Sequence, residues 1–204
     1  MPRPRVRLRR GPRPIPIDLE TVAEARLVAQ ALAGSESAFE QIVRRYQRPV
    51  IGLIARITGD RALAEDLAQD AFLKAYRNLS AFDTKRRLSS WLFRIAHNTA
   101  IDSLRRAKTR TLGLEAPAAD DAALDPPAPP APDPVERQAL GEALDRALAA
   151  LRTDYRIAIS LRYEEGLAFD EIAHVMSIPE ATARSHVHRA RKELAAVLRA
   201  EGWE

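Results

Sequence analysis

One helical segment combines basic and hydrogen-bonding side chains in a pattern suited to binding a nucleic-acid strand. Residues 91–106 read WLFRIAHNTAIDSLRR, and apolar residues recur there at helical spacing, so one face is predicted to be buried. The other face carries Arg94, Asn98, Arg105 and Arg106. Arginine binds phosphate, and an asparagine amide can pair with a base edge. Because asparagine is a mediocre helix former, two interpretations stay open: an indifferent solvated face, or a face that reads something outside the protein.

Other side chains that could bind a metal ion or catalyse a reaction lack the partner residues that these functions need. Asp66 and Asp70 lie four residues apart on one helix face, but no histidine or second carboxylate motif accompanies them, so no metal is expected. His186 and His188 are two residues apart on a helix and therefore point to different sides. The chain has no cysteine and no P-loop, GxSxG or HExxH pattern. These features predict a protein that is not an enzyme and has no cofactor.

The charges are distributed unevenly along the 204 residues, although the net charge is only +4. Residues 85–110 contain eight basic side chains and one acid, and residues 184–199 contain five and one. Residues 111–136 contain six acids and no base. Two basic regions on either side of an acidic tether suggest a polyanion held at two places, while two ordinary basic helices are the alternative.

A proline-rich segment divides the chain. Residues 111–134 hold seven of the 14 prolines in an Ala/Pro/Asp-rich context, which predicts a flexible acidic linker between residues 20–110 and 135–204. Residues 1–19 are basic and proline-rich without the apolar core of a signal peptide, so we expect a disordered arm. No apolar run reaches the roughly 18 residues that a transmembrane helix needs, which fits a cytoplasmic protein.

The first half is predicted to be a small helical bundle, since its apolar residues step by three or four and no alternating strand pattern occurs. Ser37 and the glutamate three residues later predict a capping box, and Pro49 should kink or divide the helix that follows. Residues 59–60, Gly-Asp, predict a helix stop followed by a new N-cap. Ser89 or Ser90 is expected to cap the helix that contains Asn98.

The second half is also helical and ends in a helix-turn-helix pattern. Residues 169–176 form a short helix, residues 177–179 a turn, and a long helix follows Pro179. A major groove admits one such helix, whose N-terminal side chains reach the bases. The outer face of the last helix carries Arg184, Ser185, His188, Arg189, Arg191 and Lys192. A solvated basic amphipathic helix is the competing interpretation.

Four segments in this order resemble the ECF (extracytoplasmic function) sigma factors of bacterial RNA polymerase. They are AFEQIVRRYQRPV, DRALAEDLAQDAFLKAYRNLSAF and SSWLFRIAHNTAIDSLRR in the first half, and GLAFDEIAHVMSIPEATARSHVHRARKEL in the second. The resemblance covers about residues 20–200. It implies an all-α protein of two small helical domains joined by a linker, the second containing the helix-turn-helix.

The resemblance implies a transcription initiation factor whose first domain binds the polymerase and opens the promoter. The residues that match the helix binding a coiled coil of the β′ subunit are Asp66, Gln69, Asp70, Phe72 and Lys74. Asn98 matches a residue that captures an unpaired base of the −10 element, with residues 82–88 as the pocket loop. Phosphate or loop contacts are implied for Arg94, Arg105, Arg106, Phe82, Lys85, Arg86 and Arg87. Trp91 is expected to pack in the core, with a position against the melted junction as the alternative, and His97 is expected to be a surface side chain.

The second domain is implied to read the −35 duplex through Arg184, Ser185, His188, Arg189, Arg191 and Lys192. Ala168 stands where the family often has a capping Ser or Thr, and Ser177 where helix-turn-helix turns often have glycine. The implied partners are core RNA polymerase (its β′ and β subunits), promoter DNA and an anti-sigma factor, with no small-molecule substrate and no membrane insertion. A stand-alone helix-turn-helix regulator is the alternative, but it would explain only residues 135–204.

Overall fold

A computed structural model of the chain describes residues 19–84, 86–111 and 134–203. Within these ranges eight α-helices run in chain order as α1 (Leu19–Leu32), α2 (Glu36–Thr58), α3 (Arg61–Arg77), α4 (Leu88–Thr111), α5 (Pro134–Ala149), α6 (Thr153–Tyr163), α7 (Phe169–Met176) and α8 (Glu180–Ala200), with a 3₁₀ turn at Leu79–Ala81. Those ranges contain no strand, and the all-α prediction is confirmed. Nearly all of the predicted N-terminal arm and of the predicted linker lies outside the described residues, and α1 begins at the last residue of the predicted arm, Leu19.

The ends of α2 and α3 are set by local side-chain chemistry. Gly59 adopts a left-handed conformation (φ 72°) at the end of α2, and the Asp60 carboxylate accepts a hydrogen bond from the amide of Leu63 at 3.0 Å. The predicted helix stop at Gly59 and the predicted N-cap at Asp60 are therefore confirmed. The predicted cap at Ser37 is wrong: the cap is Ser35, whose hydroxyl accepts from the Ala38 amide at 3.3 Å, because the helix begins two residues earlier.

Two other helix predictions differ from the structure. Pro49 does not divide α2, because the buried residues Val50, Leu53 and Ile54 that follow it pack into the same core as those before it. Neither Ser89 nor Ser90 caps α4, which begins at Leu88. Both serines are buried, and the Ser90 hydroxyl donates back to the Arg87 carbonyl at 3.0 Å.

The core of the first half forms where α2, α3 and α4 pack together. Phe93 of α4 and Ile42 and Ile54 of α2 are its largest fully buried side chains. Burial of each contributes on the order of 2–3 kcal/mol. Because Phe93 is buried, the opposite face of α4 points away from the core. That exposed face carries Asn98.

The helix-turn-helix consists of α7, a turn and α8. Ser177 has φ 55° and ψ 43°, the left-handed conformation that favours glycine, as its position predicted. Ala168 offers no side-chain cap at the start of α7, but the Glu171 carboxylate accepts from the Ala168 amide at 2.8 Å. Ala183 and Val187 of α8 are buried, so its basic face is presented outward.

The two halves are packed against each other, with α7 on α4 and α6 on α2. Ile157, Leu161, Leu167, Ile172 and Val175 of the second half belong to the same continuous core as the first-half residues. Polar contacts reinforce this interface. Arg56 Nη2 lies 2.6 Å from the Glu164 carboxylate, and Arg156 donates to the Arg56 carbonyl at 3.2 Å. We call this packed state the closed arrangement.

Candidate nucleic-acid interface

The exposed face of α4 presents Asn98 between basic side chains, as the sequence predicted. Asn98, Arg105 and Arg106 are exposed, and Arg106 Nε donates to the Asp102 carbonyl at 3.2 Å. That bond draws the Arg106 side chain back along the helix axis towards Asp102. An exposed amide beside two guanidinium groups can bind a base edge while its neighbours hold the backbone phosphates.

An aromatic pair lies at the start of the same helix. The rings of Phe82 and Trp91 are tilted by 54° with centroids 5.3 Å apart. Both side chains are half-buried and pack against the core, so Trp91 is a core residue that keeps part of its surface outside. Arg86 is exposed with Nε 3.9 Å from the Asp83 carboxylate, and Lys85 lies outside the described residues. Exposed aromatic surface of this kind offers a stacking platform for an unpaired base.

Two of the predicted strand-binding arginines, Arg87 and Arg94, are half-buried and contact the second half. Arg87 Nη1 donates to the Gly166 carbonyl at 3.3 Å and lies 3.7 Å from the Glu171 carboxylate. Arg94 Nη1 lies 2.9 Å from each ring nitrogen of His174. Burial and the positive charges of Arg94 and Arg86 lower the pKa of His174. In the closed arrangement these arginines are therefore engaged by α7 and the loop before it.

His97 is half-buried, which corrects its prediction as a surface side chain. Its Nδ1 is buried without a hydrogen-bond partner, and burial lowers its pKa despite a hydrogen bond with Asn98. Position 97 lies on the boundary between the buried and exposed faces of α4, where periodicity alone does not show whether a side chain is buried or exposed. Of these two neighbouring side chains, Asn98 is the one that is exposed.

The outer face of α8 presents the predicted duplex-reading residues. Arg184, His188, Arg189, Arg191 and Lys192 are exposed, and Ser185 is half-buried. Arg184 is held by Glu180, whose Oε1 lies 2.7 Å from Nη2. Arg189 Nη1 lies 3.2 Å from the Tyr155 hydroxyl. The α8 face is thus a basic surface of the size that a major groove accepts.

The predicted polymerase-docking residues of α3 separate into exposed and internal groups. Asp66, Gln69 and Asp70 are exposed. Phe72 is 7% exposed and belongs to the core. Lys74 is also exposed, but its ammonium donates to the Thr99 hydroxyl of α4 at 3.0 Å, which ties α3 to α4. The exposed acids and amide are the members of this set that are free to meet a partner.

An apolar groove between α2 and α3 adjoins those acids and was missed by the sequence analysis. It is lined by Glu36, Phe39, Glu40, Val43, Gln69, Phe72, Leu73 and Tyr76. Leu73 and Tyr76 are 53% and 44% exposed, and the Tyr76 ring packs edge-on against Phe39 with centroids 4.9 Å apart. Leu73 and Tyr76 are three residues apart, the spacing of one helix face, but the sequence alone does not show whether that face is buried or exposed.

No cluster of three or more His, Asp or Glu side chains suited to a metal ion occurs within residues 19–84, 86–111 and 134–203. Among those same residues no helix is both long and apolar enough to cross a membrane.

Two family models match the chain. Residues 42–110 match Sigma-70 region 2, and residues 141–194 match Sigma-70 region 4. The first range contains α3, nearly all of α4 and most of α2, and the second contains α7, the turn after it and most of α8.

Curated relatives match over nearly their whole length. The ECF RNA polymerase sigma factor SigW of Bacillus subtilis is 34% identical over 84% of this chain and 95% of its own. The RNA polymerase sigma-H factor of Pseudomonas aeruginosa is 35% identical over 84% of this chain and 91% of its own length. The ECF RNA polymerase sigma-E factor of Escherichia coli K12 is 33% identical over 86% and 94%.

Solved structures share the fold. CnrH, solved in complex with the cytosolic domain of CnrY, is 26% identical with a TM-score of 0.61, over 87% of this chain and 98% of that one. The sigma factor RpoE of Bartonella quintana, solved with the anti-sigma factor NepR, has a TM-score of 0.66 at 24% identity, over 79% and 96%.

Proposed function

The chain belongs to the ECF RNA polymerase sigma factors, and on that premise we propose that it joins core RNA polymerase and directs it to promoters. The observation that carries this proposal is the presence of two separate basic faces, one on α4 and one on α8, in a chain that matches both sigma regions. A stand-alone helix-turn-helix regulator would not require the α4 face, the acidic α3 surface or the match over residues 42–110.

The α4 face is proposed to bind the non-template strand of the −10 element after it has left the duplex. Asn98 is exposed and can pair with the edge of a flipped base, which presents all its hydrogen-bonding groups. Arg105 and Arg106 would hold the flanking phosphates, and Arg94 would join them once it is released from His174. The partly exposed Phe82–Trp91 pair would stack against a neighbouring base. Asn98 and the aromatic pair together favour melted DNA over duplex, because base pairing occupies the Watson–Crick edge and base stacking covers the faces of the base.

The α8 face is proposed to read the −35 element as duplex. Arg184 and Ser185 are near the N-terminus of α8, the end that reaches bases in helix-turn-helix proteins. His188 and Arg189 lie one turn further on, and Arg191 and Lys192 would contact phosphates. The −35 DNA stays double-stranded when α8 binds it. The contribution of this contact is to hold the polymerase at a fixed distance from the −10 element.

Polymerase docking is proposed to use the α2–α3 groove and its acidic rim. Asp66, Gln69 and Asp70 lie on the exposed side of α3, and Leu73 and Tyr76 continue that side along the groove. A partner helix with apolar and basic side chains, such as a coiled coil of β′, would cover the exposed tyrosine and pair with the acids. The acids also repel DNA, which keeps this face separate from the α4 face.

The closed arrangement must open for both DNA contacts to form at once. Elements centred about 25 base pairs apart are separated by roughly 85 Å of B-DNA. In the closed arrangement α7 of the second half rests directly on α4 of the first. A chain segment as long as residues 112–133 can reach roughly 70–80 Å when fully extended, so the two halves can separate far enough to span the promoter. Opening also releases Arg87 and Arg94 for the DNA strand.

A second protein is proposed to hold the chain inactive, in the role of an anti-sigma factor. The relative CnrH was solved in complex with the cytosolic domain of another protein, CnrY. The exposed apolar surface at Leu73 and Tyr76 is suited to such a partner as well as to polymerase. Because one surface cannot bind both proteins at once, a partner bound there would keep polymerase away. The proposed function involves binding and no reaction chemistry, and it places the chain in the cytoplasm with the promoter DNA.

Run-off transcription with purified core RNA polymerase tests the proposed function. We expect specific transcripts only when the chain and core enzyme are both present, and start-site mapping should reveal shared −10 and −35 sequences. Tight and specific duplex binding by the chain alone, without polymerase-dependent transcription, would support the regulator instead.

A further inference from the structure

The first residue of α7, Phe169, carries an aromatic ring next to two arginines. The guanidinium carbon of Arg184 lies 4.4 Å from the ring centroid, and that of Arg162 lies 4.6 Å from it. Both distances are within the range at which a cation is attracted to a ring face. Arg184 belongs to α8, so this contact joins the two helices of the helix-turn-helix at the end of α8 that faces DNA.

The ring is anchored by the fold. Phe169 is half-buried and packs against the core, and Glu171 fixes the start of α7 by accepting from the Ala168 amide. The second cation is also held, because Arg162 Nη1 donates to the Leu167 carbonyl at 2.7 Å. Phe169 is therefore a fixed surface for Arg184, whose own side chain is 60% exposed.

A fixed arginine is what base readout requires. The guanidinium must meet a base edge in one plane with two parallel hydrogen bonds, and a free arginine side chain loses much rotamer freedom to do so. Glu180 holds one nitrogen of Arg184. The ring has no conventional acceptor, so its contact restrains the guanidinium while leaving the other N–H groups for DNA.

We propose that Phe169 is a positioning residue for −35 recognition: its ring holds the Arg184 guanidinium in the orientation from which it reads a base pair. The proposal rests on the proposed function and deepens it, since it adds a residue that does not itself touch DNA to the determinants of promoter specificity.

The test compares full-length Phe169→Leu and Phe169→Tyr with the wild type and Arg184→Ala, each assembled with core RNA polymerase. Binding is measured on promoters that differ at single base pairs of the −35 element. Arg184→Ala should lose preference at one base pair. Phe169→Leu should lower that same preference about two- to fivefold, and Phe169→Tyr should restore it because the ring is kept.

Nuclear magnetic resonance of the free full-length chain gives a readout that does not depend on DNA. The Arg184 side-chain protons should be shifted upfield by the ring in the wild type and in Phe169→Tyr, and Phe169→Leu should abolish the shift and raise the mobility of the Arg184 Nε–H group. Unchanged shift and mobility in Phe169→Leu would overturn the positioning role.

The outcomes separate the inference from the function on which it rests. An equal loss of affinity on every promoter in Phe169→Leu, or no loss of preference, overturns the inference alone. A wild-type holoenzyme without base preference at −35, or an Arg184→Ala variant with full preference, overturns the proposed role of α8 and the inference with it.

Discussion

Arg94 of α4 and His174 of α7 are in direct contact, with Arg94 Nη1 2.9 Å from each imidazole nitrogen. Arg94 belongs to the proposed −10 strand face, and His174 belongs to the first helix of the helix-turn-helix. The contact can persist only while the imidazole is neutral, since a protonated ring would place two positive charges together.

We predict that acid weakens the closed arrangement. Burial and the charges of Arg94 on α4 and Arg86 in the preceding loop lower the pKa of His174, so the separated halves bind a proton more readily than the closed ones. The closed arrangement is therefore favoured above the ordinary histidine pKa of about 6.5 and loses stability as the pH falls below it. Energy transfer between dyes on Gln41→Cys and Arg199→Cys should fall between about pH 7 and 5.

The matched control for this prediction is His174→Gln, which cannot titrate. Glu171, on the same helix as His174, pairs with Arg87 and carries an opposing charge, and His97 also has a lowered pKa. An identical pH response in His174→Gln would assign the effect to another group such as His97.

Covalent closure should block promoter opening. Arg56 and Glu164 form a 2.6 Å ion pair across the two halves and lie outside the proposed DNA and docking residues. In the double variant Arg56→Cys, Glu164→Cys, a short bismaleimide should join only these positions, because the chain has no other cysteine. Permanganate footprinting should show melted −10 DNA with the unlinked double variant and none with the linked one; melting by the linked protein would contradict a need for opening.

Asn98→Ala should impair promoter melting without weakening polymerase binding. The exposed amide is the proposed base-reading group, and a lost base contact costs about 1–3 kcal/mol, or roughly five- to 150-fold in open-complex formation. Holoenzyme assembly by gel filtration should be unchanged, because α3 and its groove are untouched. Normal melting by this variant would remove Asn98 from the site.

Tyr76→Ala should weaken polymerase binding by about tenfold or more, since truncation of an aromatic residue in an interface often costs 1–2 kcal/mol or above. Tyr76 is 44% exposed in the α2–α3 groove. Tyr163 is 57% exposed and lies outside that groove, so Tyr163→Ala is the matched control. Equal affinities for the two variants, measured by competition with labelled wild type, would exclude the groove from docking.

Ser177→Gly should stabilise the chain. Ser177 is held at φ 55°, where a residue with a Cβ is strained and glycine is not. After the entropic cost of glycine is subtracted, we expect a gain of about 0.5–1 kcal/mol in the free energy of unfolding, measured by urea denaturation. Ser177→Ala keeps the Cβ and should show no gain.

The features that could be predicted from sequence are those determined by neighbouring residues. The bounds of α7, the Gly59 stop, the Asp60 cap and the left-handed Ser177 all depend on side chains within a few positions of each other. The Ser35 cap was missed because two serines two residues apart offer the same chemistry, and only packing decides which one begins the helix.

The remaining features depend on contacts between distant segments. Arg94 occupies a polar stripe, and such a stripe has the same pattern whether it faces water, DNA or a second domain. Leu73 and Tyr76 have the same helical spacing as core residues, so periodicity did not distinguish an exposed groove from a buried face. Phe169 was assigned only to its helix, because its arginine neighbours come from α6 and α8.

The core shared by the two halves has a kinetic consequence. Separation exposes apolar residues of α6 and α7 to water, so a chain released from polymerase and DNA has a strong drive to fold back on itself. Because both halves belong to one chain, this return is a first-order process whose rate does not depend on how many copies the cell contains. Each released molecule would therefore cover its strand-binding face at a rate that is independent of its concentration. The duration of its activity would then be set by the lifetime of its complex with polymerase and DNA.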